Sequence, residues 1–551
     1  MYLNLPPKQH QLDALQVSKD EPQFAILADM GTGKTYITIH TAIHLFREGL
    51  IDTMVVIAPS GVYMNWIGEI NAHLPPDIKG VMAYWKSSAR AHEAAELEKL
   101  VKTFNNKRLN IILVNVEACQ TTRVCIWLKA YMLKRKCLLV IDESTTVANP
   151  TAQRTKHVKR LGEFAKYHRI LSGSPADNGI LKLYSQFDVM RPGMLGYTSF
   201  TAFRAHYAVV VDRSTYEKIA RCHPKWMTYS AAQIRQYALD PEVINVMRRG
   251  GGKKYTAVIR TRNEEELKAA LSKVSFIIKK ADCLDLPPKV YLTRSVEMSA
   301  NQRAIYNDML HRSMIEIEES TKIQESDEYE EMLRQGEVSI TTSEAPKFST
   351  ALLVITKLLR LTQIACGFVT PDSEDGRPTI PQAIAGPNPL LNELLDVLEQ
   401  HNGKAFIAAN FTFSLEQIAA KLKEVYGDDS TVLYYGGTSF DDREAAKVAF
   451  QDPNSPVRWF VANPSVGGYG LTLTQADLMI FFSNDFNREK RAQTEDRIHR
   501  MGQLKSCTYV DLIVKNSVFE KIQEVLASKK ARAEIITASN WKSWFTLCKP
   551  L

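Results

Sequence analysis

Short apolar runs alternate with longer amphipathic stretches along the first 200 or so residues. Phe24–Leu27, Met54–Ala58, Ile111–Asn115, Leu138–Ile141 and His168–Ser172 are brief, rich in Ile, Leu and Val, and bounded by charge or by Gly and Pro. Runs of that kind predict strands buried on both faces. A second set follows at Ala405–Ala409, Thr431–Tyr434, Trp459–Ala462, Leu478–Phe482 and Cys507–Leu512. Strands separated by helical pattern predict right-handed βαβ crossovers, hence a parallel sheet with helices on both faces. The expected fold class is α/β, with two parallel-sheet lobes and helical insertions between them.

The stretch 195–400 has a different texture. Helical pattern at Glu264–Lys273, Asn301–Glu319 and Ser349–Ala365 is broken by a Gly/basic loop, Arg248 to Lys254. An acidic segment, Glu316–Glu331, and a Pro/Gly-rich loop, Pro371–Pro389, follow. We divide the chain into a first lobe at 1–195 and a helical connector at 196–285. A helical protrusion leading into the second lobe covers 286–400, the second lobe 401–530 and a terminal extension 531–551. No repeat of 20–50 residues is visible.

Composition narrows the function classes less than the pattern does. A net charge of +8 on 551 residues permits a polyanionic partner without demanding one. The eight cysteines are scattered without CxxC spacing, which argues against a zinc ribbon or dithiol site and suits reduced thiols. The first residues lack the charged-then-apolar order of a signal peptide, and no apolar run approaches the roughly 20 residues needed to span a bilayer. A soluble protein without membrane contact is expected, cytoplasmic or nucleoid-associated, or nuclear in a eukaryote.

Candidate chemistry begins where the first strand meets Ala28-Asp-Met-Gly-Thr-Gly-Lys-Thr35. Strand, Gly-rich turn and helix start together make an anion site, because exposed backbone N–H groups and the helix dipole converge on a phosphate. Asp29, Met30, Gly31, Thr32, Gly33, Lys34 and Thr35 are the candidate nucleotide contacts. Lys34 would reach the β- and γ-phosphates, and the Thr35 hydroxyl would ligand Mg²⁺. Ala28 stands where the strict G-x-x-x-x-G-K-[ST] pattern has its first Gly.

About 110 residues later, Leu138-Leu-Val-Ile-Asp-Glu143 is an apolar strand ending in two carboxylates. Residues at the carboxyl edge of a parallel sheet face the ligand crevice. Asp142 would hold Mg²⁺ and Glu143 would orient or deprotonate the attacking water. Alone, such a pair could simply mark the strand's exit from the core; beside a phosphate loop it reads as catalytic. ATP and Mg²⁺ are the expected cofactors.

Gln493-Thr-Glu-Asp-Arg-Ile-His-Arg-Met-Gly-Gln503 carries Arg497 and Arg500 three apart, a spacing that places them on one helical face. Two readings stand: a solvated polar face, or guanidinium groups that stabilise charge on a transferring phosphoryl group. Upstream, Gly467-Gly-Tyr-Gly470 offers Gly467, Gly468 and Gly470 as a turn where backbone can approach a phosphate, and Gly470 is a candidate nucleotide contact.

Taken together, these motifs resemble the Swi/Snf-type double-stranded DNA translocases of helicase superfamily two, from about His10 to about Ile522. The resemblance implies RecA-like lobes and ATP hydrolysis in the cleft between them. It makes Gln11 an adenine reader and Lys34, Asp142, Glu143, Arg497 and Arg500 the catalytic set. Ile57-Ala-Pro-Ser60 with Trp66 and Glu69, and Val114-Asn-Val-Glu117, are similar to backbone-contacting motifs of the first lobe. Leu171-Ser-Gly-Ser-Pro-Ala-Asp-Asn178 is similar to the motif that couples nucleotide and DNA sites. Pro59, Ser60, Trp66, Asn115, Ser172, Gly173, Ser174, Gly467 and Gly468 are therefore expected to contact nucleic acid. Leu286-Pro-Pro-Lys289 with Gln302 and Tyr306 resembles the start of the second lobe. The Gln493–Gln503 segment, QxxDRxHRxGQ, is the most family-specific piece.

The chain departs from the pattern in two places. The acidic motif reads Asp-Glu-Ser-Thr, where the family has a small residue and then His. Asn484-Asp-Phe-Asn-Arg488 stands where Asp…Trp-Asn-Pro is usual. The resemblance implies a monomeric, duplex-tracking motor with sequence-tolerant, salt-dependent contacts to the phosphate backbone. A strand-separating or annealing helicase, and a catalytically silent DNA-binding subunit of a larger complex, remain the rivals. Arg248–Lys254, with Arg260, Arg262, Lys279 and Lys280, is a candidate extra DNA contact.

Overall fold

The computed structural model describes residues 6–59, 62–85, 107–176, 179–249, 257–324, 350–371, 379–467 and 471–527. The chain divides into two compact units, Met1–Asp285 and Leu286–Leu551.

Strands are numbered in chain order. The first unit holds β1 (Gln23–Ala28), β2 (Thr53–Ala58), β3 (Gly80–Trp85), β4 (Leu109–Asn115), β5 (Cys137–Ile141) and β6 (Tyr167–Ser172). It also holds β7 (Ala208–Val211), β8 (Ala257–Thr261) and β9 (Ser275–Ile278). Seven of them form one sheet in the order β3-β4-β2-β5-β6-β1-β9, with parallel pairing throughout. Because successive side chains point to opposite faces, each apolar run feeds two cores at once. Phe24, Ile26, Met54, Val56, Leu138 and Val140 pack on one face. Ala25, Leu27, Val55, Ile57, Leu139 and Ile141 pack on the other. This double burial is why the runs are continuous rather than alternating.

The second unit holds β10 (Lys289–Val296), β11 (Phe368–Val369), β12 (Gln382–Ala383), β13 (Lys404–Ala408), β14 (Thr431–Tyr434), β15 (Trp459–Ala462), β16 (Ala476–Phe481) and β17 (Cys507–Val514). Six form a parallel sheet, β10-β17-β16-β13-β15-β14, again with a core on each face. Two parallel α/β sheets are thus present, as the apolar pattern predicts.

The stretch read as helical insertions and a connector also carries strands. It supplies β9 and β10, an edge strand for each sheet, and the antiparallel pair β7–β8. Edge strands carry one covered side at most, so they lack the continuous apolar run of a central strand. β10 shows this directly: its six middle residues are exposed. β3 escaped notice for the same reason, being an edge strand that begins Gly80-Val-Met. Of the acidic segment, 325–331 lies outside the described residues. Among the described residues, no helix is long and apolar enough to cross a membrane.

Candidate functional site

In the first unit, β1 delivers the chain to a turn in which Gly31 and Gly33 adopt φ of 81° and 95°. A side chain is strained in that region, and at Gly33 it would also collide, since a Cβ there would lie 2.1 Å from Gln11 Nε2. The helix Lys34–Arg47 starts immediately afterwards, with Lys34 and Thr35 in its first turn. Lys34 Nζ donates to the Ala28 carbonyl at 2.8 Å, folding back over the loop. Thr32 Oγ1 donates to the Asp29 carbonyl at 2.8 Å, and the Asp29 carboxylate accepts from the Lys280 N–H at 2.8 Å.

Gln11 packs against the phosphate loop. Its Nε2 donates to the Thr32 carbonyl at 3.1 Å, its Oε1 accepts from the Lys8 N–H at 3.0 Å, and it is buried. His10 Nε2 contacts the same Thr32 carbonyl at 2.9 Å. Both side chains brace the phosphate loop.

β6 lies beside β1 in register, Leu27 opposite Ser172, and β5 lies beside β6. The sheet order therefore brings three motifs to one carboxyl edge. A Cβ on Gly173 would stand 3.6 Å from Lys34 Nζ and 3.7 Å from Met30 Cγ, which places the Ser172–Ser174 turn in contact range of the loop. Ser172 Oγ accepts from the Ser174 N–H at 3.2 Å.

Asp142 follows β5 and is fully enclosed. Trp66 Nε1 donates to its Oδ2 at 2.8 Å, and the Glu143 N–H donates to its Oδ1 at 2.9 Å. Burial raises its pKa, opposed by the Trp66 hydrogen bond, the Lys34 charge and the Glu143 N–H. Glu143 sits at φ 47°, a left-handed conformation that a non-glycine residue holds only when its surroundings enforce it. Next along, Ser144 Oγ donates to Gln186 Oε1 at 2.7 Å, and Gln186 Nε2 donates to the Pro175 carbonyl at 2.8 Å. The acidic motif is thus linked by a buried side chain to the Ser172–Ser174 turn. Gln186 was not singled out from sequence; the unusual Ser144 was the available signal.

Burial bears on several of the expected nucleic-acid contacts. Trp66 and Ser172 are fully enclosed and Asn115 and Pro59 are buried, so none of the four presents a side chain to a docking surface. Trp66 serves Asp142 instead. Gly173 and Ser174 remain partly exposed. Ser60, Gly468 and Gly470 lie outside the described residues, and Gly467 ends a short helix, Pro464–Gly467.

In the second unit, the helix Arg488–Glu495 stops before the arginine pair, so Arg497 and Arg500 lie on the following turn, not on one helical face. They converge all the same. Arg497 and Arg500 donate to the Leu471 carbonyl at 3.4 and 3.0 Å. Gln503 Nε2 pins the turn through the carbonyls of Thr474, Ala476 and Ile498 at 2.8–3.2 Å. His499 Nε2 is 2.8 Å from the Pro287 carbonyl. Glu495 is a hub. Burial raises its pKa, yet Lys289 at 3.0 Å and Arg491 at 2.9 Å hold its carboxyl below the usual range.

The donor set suits a nucleotide carrying Mg²⁺. Among the described residues no cluster of three or more His, Cys, Asp or Glu could hold a metal by itself. Mg²⁺ in nucleotide sites rests on one or two protein oxygens plus phosphate and water. Asp142 and Thr35 are of that type.

A parallel-sheet unit with a glycine loop, a buried acidic pair and a neighbouring serine turn, joined to a second parallel-sheet unit with paired arginines, defines a P-loop ATPase of two-lobed helicase type. The SNF2-related domain pattern matches residues 10–338, and the helicase conserved C-terminal domain pattern matches 388–502. The chain belongs to the SNF2-related family. It is 22% identical over 518 residues to the putative ATP-dependent helicase/translocase YwqA of Bacillus subtilis, covering 93% of this chain and 46% of that protein. It is 24% identical over 530 residues to the DNA repair and recombination protein RAD54-like of Drosophila erecta, covering 94% and 60%. The chain thus spans about half the length of these curated relatives. A Sulfolobus solfataricus SWI2/SNF2 ATPase core in complex with dsDNA aligns at 19% identity and a TM-score of 0.37, over 98% of this chain and 95% of that one.

Proposed function

We propose that this chain hydrolyses ATP and uses the cycle to move along double-stranded DNA as a monomer, without processive strand separation. The observation carrying the reading is the gathering of Lys34, Asp142, Glu143 and the Ser172–Ser174 turn at one sheet edge. Lys34 would leave the Ala28 carbonyl for the β- and γ-phosphates, and Asp142 with Thr35 would hold Mg²⁺, which draws charge from the phosphoryl oxygens. Glu143, fixed by its backbone, would orient the attacking water. Arg497 and Arg500, held together at Leu471, would stabilise the charge that develops in transfer, an effect worth about 10³–10⁵ in rate. The resemblance of the QxxDRxHRxGQ segment supports duplex tracking over strand separation.

The test is ATP hydrolysis by purified protein alone, then with duplex DNA, single-stranded DNA, a fork or structured RNA. Duplex stimulation supports the proposal. Stimulation by single strands or RNA alone gives the reaction to a strand-separating helicase, and no hydrolysis anywhere favours a silent subunit. Arg500→Ala should bind nucleotide but lose hydrolysis; normal turnover by that variant would refute the arginine role.

A further inference from the structure

Residues 208–249 and 257–262 form a small module ahead of β9. β7 and β8 pair antiparallel across it, and Val211, Trp226, Ile234, Ile244 and Met247 give it a core of its own. Helices Arg213–Cys222, Ala231–Gln236 and Pro241–Arg249 complete it. The sequence from 208 to 262 contains eleven Lys and Arg against four Asp and Glu, so about a tenth of the chain carries seven of its eight net positive charges. Two of the four acids are engaged as helix caps: Asp212 accepts from the Thr215 N–H at 2.8 Å and Asp240 from the Glu242 N–H at 2.9 Å. The surplus is therefore not consumed by internal pairing.

One part of the module combines a cluster of rings with cations close by in sequence. His223, Tyr229 and Tyr237 gather, with centroids 5.0 Å apart for His223–Tyr237, 5.2 Å for Tyr229–Tyr237 and 5.9 Å for His223–Tyr229. Tyr237 is 44% exposed, unusual for a ring with a core available beneath it. The backbone enforces this position: Ala238 takes φ 53°, and the Leu239 N–H closes back onto the Ile234 carbonyl at 3.0 Å. A left-handed alanine is strained relative to glycine, so the turn presenting Tyr237 is held by its surroundings. Arg221 and Lys225 lie two residues either side of His223, and Arg235 lies two before Tyr237. All three cations are exposed, and none has a side-chain hydrogen bond or ion pair with a described residue.

A ring cluster with one exposed and two half-buried members, flanked by cations that have no partner among the described residues, suits one class of polyanion. A single strand offers unstacked bases for the rings and phosphates for the cations, whereas a duplex offers only its phosphates. We infer that the His223–Tyr229–Tyr237 surface with Arg221, Lys225 and Arg235 binds single-stranded nucleic acid, separate from the duplex-tracking site. The inference rests on the reading that this chain works on DNA, and adds a second strand-binding site to it. Such a site would hold the chain at junctions where duplex and single strand meet.

The experiment uses the full chain without nucleotide, and measures binding of a fluorescent dT20 oligonucleotide and a 20-base-pair duplex across a salt series. Tyr237→Ala should weaken dT20 about tenfold, in line with the loss of one stacked base. A variant carrying Arg221→Gln, Lys225→Gln and Arg235→Gln should lower the salt slope for dT20 by about two, at roughly 0.7 per phosphate contact. Both should keep wild-type duplex-stimulated ATP hydrolysis. Unchanged dT20 binding in both variants overturns the inference, as does wild-type protein that binds only duplex. Equal loss for dT20 and duplex also overturns it, reassigning the patch to duplex phosphates. Tyr237-dependent dT20 binding without duplex-stimulated hydrolysis would uphold this site and sink the translocase proposal instead.

Discussion

The Ser144–Gln186 pair offers the sharpest test of how the two motifs of the first unit communicate. Both side chains are fully enclosed. The amide has a single consistent orientation, with Oε1 accepting from Ser144 and Nε2 donating to the carbonyls of Pro175 at 2.8 Å and Lys182 at 3.1 Å. The family histidine is replaced here by Thr145, and this buried chain supplies a link from the acidic motif to the serine turn. Gln186→Leu strands the Ser144 hydroxyl and the Pro175 carbonyl, at about 1–3 kcal/mol for each buried unsatisfied group. Ser144→Ala strands only Gln186 Oε1, costing about 1–2 kcal/mol. The double variant removes both halves of the shared bond and strands only the Pro175 carbonyl, so it should cost about 2–5 kcal/mol less than the two single changes added together.

A two-unit chain is poorly served by one global melting curve. Hydrogen exchange of peptides covering 137–148 and 172–188 reads the local cost directly. Hydrolysis with and without duplex DNA reads the coupling. We expect Gln186→Leu to keep basal hydrolysis within about twofold and to lose most of the duplex stimulation. Additive protection changes, or full stimulation in a folded Gln186→Leu protein, would refute the reasoning.

Three further outcomes follow from the site and its supports. Lys34→Ala and Glu143→Gln should both stop turnover, while Glu143→Gln still binds a fluorescent ATP analogue; normal hydrolysis by either removes that residue from the catalytic set. Trp66→Phe deletes a hydrogen bond that lowers the pKa of Asp142, so that pKa should rise and the acid limb of the rate profile should move toward neutral pH. An unmoved limb would mean that Asp142 does not govern it. His168 is buried, donates through Nε2 to the Gly162 carbonyl, has no partner at Nδ1, and its pKa is lowered to about 4 from 6.5, chiefly by burial. Its unfolded form binds the extra proton first, so stability should be full above about pH 6.5 and fall by about 3 kcal/mol by pH 4. His168→Gln should flatten that part of the stability profile, and an identical profile would exclude this source.

Much of the fold was legible because a central parallel strand leaves an unmistakable run. Leu138–Ile141 and Trp459–Ala462 are covered on both faces, and nothing but apolar residues suits them. β10 is the opposite case. Val290, Tyr291 and Leu292 are apolar yet exposed, and its pairing with β17 over eight residues rests on backbone hydrogen bonds that any sequence can make. The inserted module was hidden for a related reason: its core is six residues drawn from 211 to 247, too dispersed to show a period.

The site divides along the same line, between what residue type dictates and what only packing decides. A glycine at φ 95° before a lysine that opens a helix follows from chemistry that few other sequences satisfy. Trp66 carries no such mark. An indole near a lobe edge can stack on nucleic acid or donate inward, and its complete burial against Asp142 selects the second. Arg497 and Arg500 show the converse, a right association reached through the wrong geometry. Their spacing of three suggested one helical face, but the helix ends at Glu495, and a shared carbonyl at Leu471 brings them together. That carbonyl belongs to the segment following the glycine cluster, so a shift of Leu471 would move both guanidinium groups as a pair.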